Sequence, residues 1–309
     1  ERFSTARSEE ILTVQPEVKH EMNFSPERRQ EVVTMVRKSI SSEVRGANDV
    51  ELKEMQKKMK ELPFVSGRHA DELLVCNAED EGVALVDASA IVGTVSLAFN
   101  DWSDEYQSRE NQIITVAKSL MNGSEEDVER VFHLKKKLGG IRLRKVSGPG
   151  GDLYFCVDGT HRVACAKLVG LSEVPARIKN ASNPESASTQ NKYQKREWEN
   201  KIEKGLIKGS VEEETQPGGE ITYTLKIESQ VLPWMMLSRR GMFKMTQVYL
   251  EKYPGSLEGL STPDGKKIPA QALTGEVEFN FFMAGRWDEY LKIQNEEKIR
   301  EVRARIESS

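Results

Sequence analysis

Cysteine is scarce: Cys76, Cys156 and Cys165 are the three in 309 residues, an odd number with no Cys-x-x-Cys pair. This excludes a disulfide-built fold and a cysteine zinc site, and it suits an intracellular, reducing compartment, cytoplasm and organelle matrix alike. No run of about 18 apolar residues occurs, so no membrane-spanning helix is expected. A basic excess is missing too: 45 Lys+Arg face 49 Asp+Glu, a formal net charge of −4. A protein that grips a phosphate backbone normally carries the opposite balance, so nucleic acid is a disfavoured partner and would need a local basic patch. His20, His69 and His133 stand alone, without metal-ligand spacing. The chain starts at Glu1 rather than Met, as processed, truncated or partial chains do, which leaves room for a removed targeting peptide.

What is present is a core under a charged surface, with 38% hydrophobic and 30% charged residues. The length is about two domains' worth. Residues 1–24 are polar and aperiodic and read as an extended arm. Ser25-Pro26-Glu27 then opens a helix, with Ser as N-cap and Pro at the first position, expected to run to about Val44 with Val32, Val33, Val36 and Ile40 as its apolar stripe. A second helix is expected after Asn48 or Asp49, carrying Leu52, Met55, Met59 and Leu62 on one face. Together, 25–80 form a helical extension.

From Gly82 the texture changes. Val83 to Val86 read as a strand, 108–121 and 125–138 as helices stopped at Gly139-Gly140, and 141–146 as a strand. Ser147-Gly148-Pro149-Gly150-Gly151 is a turn, 153–157 the returning strand, and a helix opens at Thr160 and closes at Gly170 before a last strand at 174–178. This order predicts an α+β (mixed α/β) unit over 81–180. Residues 181–309 form a C-terminal extension: a linker, a hairpin around Gln216-Pro217-Gly218-Gly219, an aromatic- and Met-rich region that is helical in its second half, and a charged terminal helix from Trp287. The arm and that last helix are candidate docking segments for protein partners.

The most informative string is Phe155-Cys156-Val157-Asp158-Gly159-Thr160-His161-Arg162-Val163-Ala164. A strand runs into Asp-Gly and a helix begins one residue later, so unpaired first-turn N–H groups and the helix dipole favour an anion there. Thr160, His161 and Arg162 add a hydroxyl, an imidazole and a guanidinium, the last able to hold two phosphate oxygens at once. Asp158 would repel a bare phosphate, so its presence points to a magnesium ion or to a hydroxyl that it orients. From spacing alone the alternative stays open that this is an ordinary Asp-Gly turn into a helix.

Residues 157–178, from Val-Asp-Gly-Thr-His-Arg through the Gly170 stop to Glu-Val-Pro-Ala-Arg-Ile, resemble the ParB/sulfiredoxin-like superfamily, closest to its Asp-Gly-x-His-Arg, free-serine-kinase-like branch. The detailed match covers 22 residues, and the order of elements extends it in outline over 81–180. Sulfiredoxins carry a nucleophilic Cys where this chain has Thr160, which disfavours sulfinic-acid reduction. Partition proteins carry Glu-Arg-Arg after the Gly and a downstream helix-turn-helix; this chain has Thr-His-Arg and no such motif. In the kinase-like branch the resemblance implies ATP or ADP with Mg2+, Gly159, Thr160, His161 and Arg162 around the phosphates, Asp158 and His161 as catalytic groups, and a small hydroxyl compound such as an amino acid as acceptor. That branch also uses an acidic residue after its first strand; Asp101, Asp104, Glu105 and Glu110 are candidates that no motif selects.

Other features have plainer readings. Lys135, Lys136, Lys137, Arg142, Arg144 and Lys145 could extend a phosphate pocket or touch nucleic acid, but also read as a solvated helix end followed by an alternating strand. Trp234, Met235, Met236, Met242, Phe243 and Met245 read as core or interface packing before a ligand cap, and Arg239-Arg240 as a possible second phosphate contact. Three functions compete: a magnesium-dependent phosphotransferase, a non-catalytic structural subunit that keeps the fold, and a nucleic-acid-linked ParB-like nuclease or clamp.

Overall fold

The computed structural model describes residues 24–70, 80–103, 112–135, 140–180, 186–189, 192–229, 232–262 and 265–307. Ser25 opens α1 (Pro26–Ser39), its hydroxyl accepting from the Arg28 N–H at 3.2 Å. The helix does not continue to Val44. Ile40 turns extended, and Ser41 caps a separate short α2 (Ser42–Gly46) through the Val44 N–H. Asn48 and Glu51 close a capping box on α3 (Asp49–Lys58), and the single-turn α4 (Gly67–Ala70) follows. The expected arm at 1–24 lies outside the described residues except Phe24, which is buried with α1 rather than extended into solvent.

A five-stranded mixed sheet forms the centre, as an α+β chain requires. Its strands are β1 (Asp80–Asp87), β2 (Ile91–Thr94), β3 (Ile141–Gly148), β4 (Gly151–Asp158) and β5 (Glu173–Asn180), in the order β1-β5-β3-β4-β2. The β1–β5 and β3–β4 pairs are antiparallel; β3–β5 and β2–β4 are parallel. The short β2 adds a strand that the sequence pattern did not suggest. Because β2 and β4 run together and β3 runs against them, the carboxyl ends of β2 and β4 meet the amino end of β3 at one edge of the sheet.

Alternation along the strands gives the sheet two apolar faces. Ile141, Leu143, Cys156, Val174 and Ala176 face a layer made by α1, α3, α5 (Gln112–Asn122) and α7 (Thr160–Leu168). Val92, Val146, Leu153 and Phe155 face Trp234, Met235 and the helices α9 (Arg239–Lys252) and α10 (Glu276–Met283). The Met- and aromatic-rich region is therefore core, on the face away from α7. Between β5 and α9 lies a smaller antiparallel sheet, β6 (Ser186–Thr189), β8 (Ile221–Ser229) and β7 (Lys208–Thr215) in that order, with Trp198 of α8 (Lys192–Glu203) buried against Tyr223 and Leu225. The strand β6 falls within what reads as linker in sequence. The β7–β8 hairpin turns at Gln216-Pro217-Gly218-Gly219 as expected. The last helix, α11 (Trp287–Glu307), is anchored by Tyr290 against α10. Among the described residues no helix is long and apolar enough to cross a membrane.

Candidate anion site at the start of α7

The strand β4 delivers Asp158 to the sheet edge, and Gly159 turns the chain into α7 with φ 87° and ψ 23°. A Cβ at Gly159 would lie 3.1 Å from the Gly140 carbonyl oxygen and 3.2 Å from Arg162 Nη1, so the left-handed backbone favours glycine and a side chain would press on both neighbours. The amino end of α7 opens into a cleft of about 540 Å³ lined by Ser96 and Phe99 after β2, by Gln112, Val116 and Ser119 of α5, by Arg130 and His133, and by residues 157–162. That is room for more than one phosphate group.

Arg162 sets the charge of the cleft. Its Nη1 donates to the Gly140 carbonyl at 3.0 Å, and its Nη2 lies 3.0 Å from His133 Nε2. Among the described residues no carboxylate lies within salt-bridge distance of it. Burial lowers its pKa, an effect opposed by the negative charge of Asp158 nearby. The guanidinium is thus held in place by carbonyl and imidazole groups rather than neutralised by a carboxylate. An anion entering the cleft meets a positive charge that is already oriented.

His133, read as isolated in sequence, belongs to this site. The helix α6 (Glu125–Val131) stops well short of the expected residue 138, because the Leu134 N–H reaches back to the Glu129 carbonyl at 2.9 Å and the His133 N–H to Arg130 at 3.2 Å. This closing pattern needs a left-handed residue, usually glycine, and here it is His133 at φ 53°. Among the described residues it is the one non-glycine with positive φ. Such a backbone costs on the order of 1 kcal/mol, retained here where the ring is delivered to Arg162.

The remaining sequence candidates divide. His161 lines the cleft with its ring edge-on to Phe99, centroids 5.2 Å apart. Thr160 does not offer its hydroxyl to a ligand: the residue is buried, with Oγ1 3.3 Å from Thr94 Oγ1 and 3.6 Å from Cys156 Sγ. Thr94 in turn donates to the Cys156 carbonyl at 3.0 Å, so this chain of polar groups ties β2, β4 and α7 together. Cys156, fully buried, has its thiol pKa pushed up to about 12 by desolvation, and burial likewise raises that of Cys165; neither is a nucleophile at neutral pH. Gln112, which no motif marks, lines the cleft with a buried Oε1 that meets no hydrogen-bond donor among the described residues. A ligand amine or hydroxyl would meet it, relieving a cost of about 1–3 kcal/mol.

Asp158 is at the mouth, half-exposed, with Oδ2 3.1 Å from Arg142 Nη2. To a magnesium ion it would offer one carboxylate, the rest of the shell coming from phosphate and water: among the described residues no three His, Cys, Asp or Glu side chains gather at any point, and its Oδ2 also faces Arg142. The upstream acid candidates Asp104, Glu105 and Glu110 lie outside the described residues, and Asp101 accepts from the Ser103 N–H and hydroxyl in its own turn. The basic run is dispersed: Lys135 pairs with Glu129, Lys145 with Glu81 at 2.6 Å, Arg142 with Asp158, and Arg144 is buried, while Lys136 and Lys137 lie outside the described residues. Arg239 and Arg240 are exposed at the start of α9, outside the cleft lining. Compared with family models, curated proteins and solved structures, this chain has no match, so the chemistry of the cleft rests on its own geometry.

Proposed function

We propose that the cleft at the start of α7 binds the phosphates of a nucleotide, ATP or ADP, and that the protein is a phosphotransferase acting on a small hydroxyl compound such as an amino acid. The observation that carries this reading is the Arg162 guanidinium, oriented by the Gly140 carbonyl and the His133 ring and, among the described residues, in no ion pair with a carboxylate. The resemblance of residues 157–178 to the ParB/sulfiredoxin-like superfamily supports it. Phosphoryl transfer asks mainly for positioning and charge neutralisation. Arg162, with the amino end of α7 behind it, holds the transferring group; His161 donates to one of its oxygens. Asp158, kept at the mouth by Arg142, accepts the proton of the acceptor hydroxyl as its oxygen bonds to phosphorus and the bond to the bridging oxygen of the donor breaks. Gln112 Oε1 is available to a donor group on the substrate. No step here runs through a metal.

Calorimetric titration with ATP, ADP and CTP, with and without magnesium, tests the binding step. Arg162→Ala is expected to weaken nucleotide affinity about 10- to 100-fold, and unchanged affinity would overturn the assignment. Asp158→Asn is expected to abolish transfer while binding and fold persist.

The nucleic-acid reading is weakened by the ion pairs that occupy Lys135, Arg142 and Lys145. The structural-subunit reading keeps one observation in its favour, the exposed apolar stripe of α11.

A further inference from the structure

Away from the α7 cleft, three segments far apart in sequence enclose a second cavity, of about 320 Å³, which shares no lining residue with the first. Each wall is fixed by a closing turn. Gly205, at φ 68°, ends α8: its N–H and that of Leu206 return to the Ile202 and Lys201 carbonyls, each at 2.9 Å, which buries Leu206 and leaves Lys204 exposed. Gly285, at φ 69°, ends α10 in the same way: its N–H and that of Arg286 return to the Phe282 and Phe281 carbonyls, and α11 starts at Trp287. On the third side the buried Thr262 donates its hydroxyl to the Lys266 carbonyl at 3.1 Å, and Ser261 and Lys267 face each other in an antiparallel bridge. Carbonyls at both helix ends are used within these turns, so side chains set the charge of the cavity.

The floor is apolar and the rim cationic. Trp287 stands edge-on to Phe282, ring centroids 6.1 Å apart, and stacks on Tyr290 at 4.9 Å, with the buried Leu206 and Met283 beside it. Around them the exposed Lys204, Lys266 and Lys267 face a single lining carboxylate, Asp288. The neighbouring Glu289 is held by Arg286. Lys204 and Lys267 enter no ion pair among the described residues. A wholly apolar ligand leaves this charge unused, and a small inorganic anion leaves the aromatic floor uncovered. A flat apolar body that carries one anionic group meets both.

We infer that this cavity binds a small aromatic carboxylate of one or two rings, its ring system against Trp287 and Phe282 and its carboxylate among Lys204, Lys266 and Lys267. The inference is independent of the α7 cleft. Two-dimensional NMR of the full chain with nitrogen-labelled tryptophan tests it, with naphthoate as the probe. Trp102, Trp198 and Trp234 are fully buried, and Trp287 is the tryptophan that lines the cavity. Its indole N–H resonance, identified by its loss in Trp287→Phe, is expected to shift saturably with naphthoate. Naphthamide, the same rings without the charge, is expected to bind at least about 10-fold more weakly. Lys204→Gln combined with Lys267→Gln, both at exposed positions, is expected to weaken naphthoate about 10-fold or more and to leave naphthamide unchanged. A Trp287 resonance that does not move up to about 1 mM naphthoate, equal affinity for acid and amide, or a double variant that binds the acid as tightly as the wild type would each overturn the proposal.

Discussion

Gly159 and Thr160 are neighbours with separable jobs. At Gly159 any side chain meets both a left-handed backbone and the Gly140 carbonyl. Gly159→Ala is therefore expected to cost about 1–3 kcal/mol and, by displacing Gly140 and Arg162, to lose anion binding as well; calorimetry beside thermal unfolding reads both. Thr160→Val breaks the link between Thr94 and Cys156 while the cleft wall keeps its shape. A stability loss of about 1 kcal/mol with unchanged nucleotide affinity is expected, and a loss of affinity alone would mean that the hydroxyl does reach the ligand. The sequence string marks Asp158 to Arg162 as one motif, and the structure brings all five to the wall of one cleft. It could not reveal that Thr160 turns inward, since that depends on Thr94, a residue 66 positions away on a strand of only four residues.

At the scale of elements, the legible features were those written in adjacent residues. Ser25, Asn48 and Gly170 mark helix ends through local hydrogen bonds or backbone freedom, and the Pro-Gly-Gly turn fixes its hairpin. Boundaries decided from a distance were not legible: β2 is a strand only because β4 lies beside it, and α6 ends at a histidine where glycine would have been the visible signal. The far end of α7 carries a second testable feature. Lys167 donates from Nζ to the Ala88 carbonyl at 2.5 Å, with Nζ 4.9 Å from the centroid of the Trp102 ring. Desolvation lowers its pKa to about 8, with Asp87 opposing and Lys252 assisting. The unfolded chain holds this proton up to about pH 10.4, so between the two values the unfolded state binds more protons and stability rises with pH. Between pH 7 and pH 10 the wild type is expected to gain about 1–3 kcal/mol relative to Lys167→Met. A difference that does not move with pH would show the amine to be solvated.

At the scale of the whole molecule, the order of strands and helices predicted an α+β class, and the five-stranded mixed sheet bears this out. The sequence did not reveal how the flanking segments share the sheet. The helices α1 to α3 and those after residue 232 cover its opposite faces, and hydrophobic periodicity within a segment does not say which face receives it. A chain ending at residue 231 would leave Val146, Leu153 and Phe155 uncovered, each worth about 1.5–3 kcal/mol in burial. Such a truncation is expected to be insoluble or to bind a hydrophobic dye strongly, and a soluble, cooperatively unfolding product would contradict the two-faced arrangement.

The hairpin of β3 and β4 is held shut from far along the chain. The Tyr249 hydroxyl accepts from the Gly150 and Gly151 N–H groups, the Tyr253 hydroxyl donates to the Asp152 carbonyl at 2.7 Å, and the Tyr249 ring fills the space where a side chain at Gly148 would sit. On a ribosome the turn emerges roughly 5–20 s before either tyrosine does. Throughout that interval the nascent strands have no latch, and the hairpin's closure waits on residues about a hundred positions downstream.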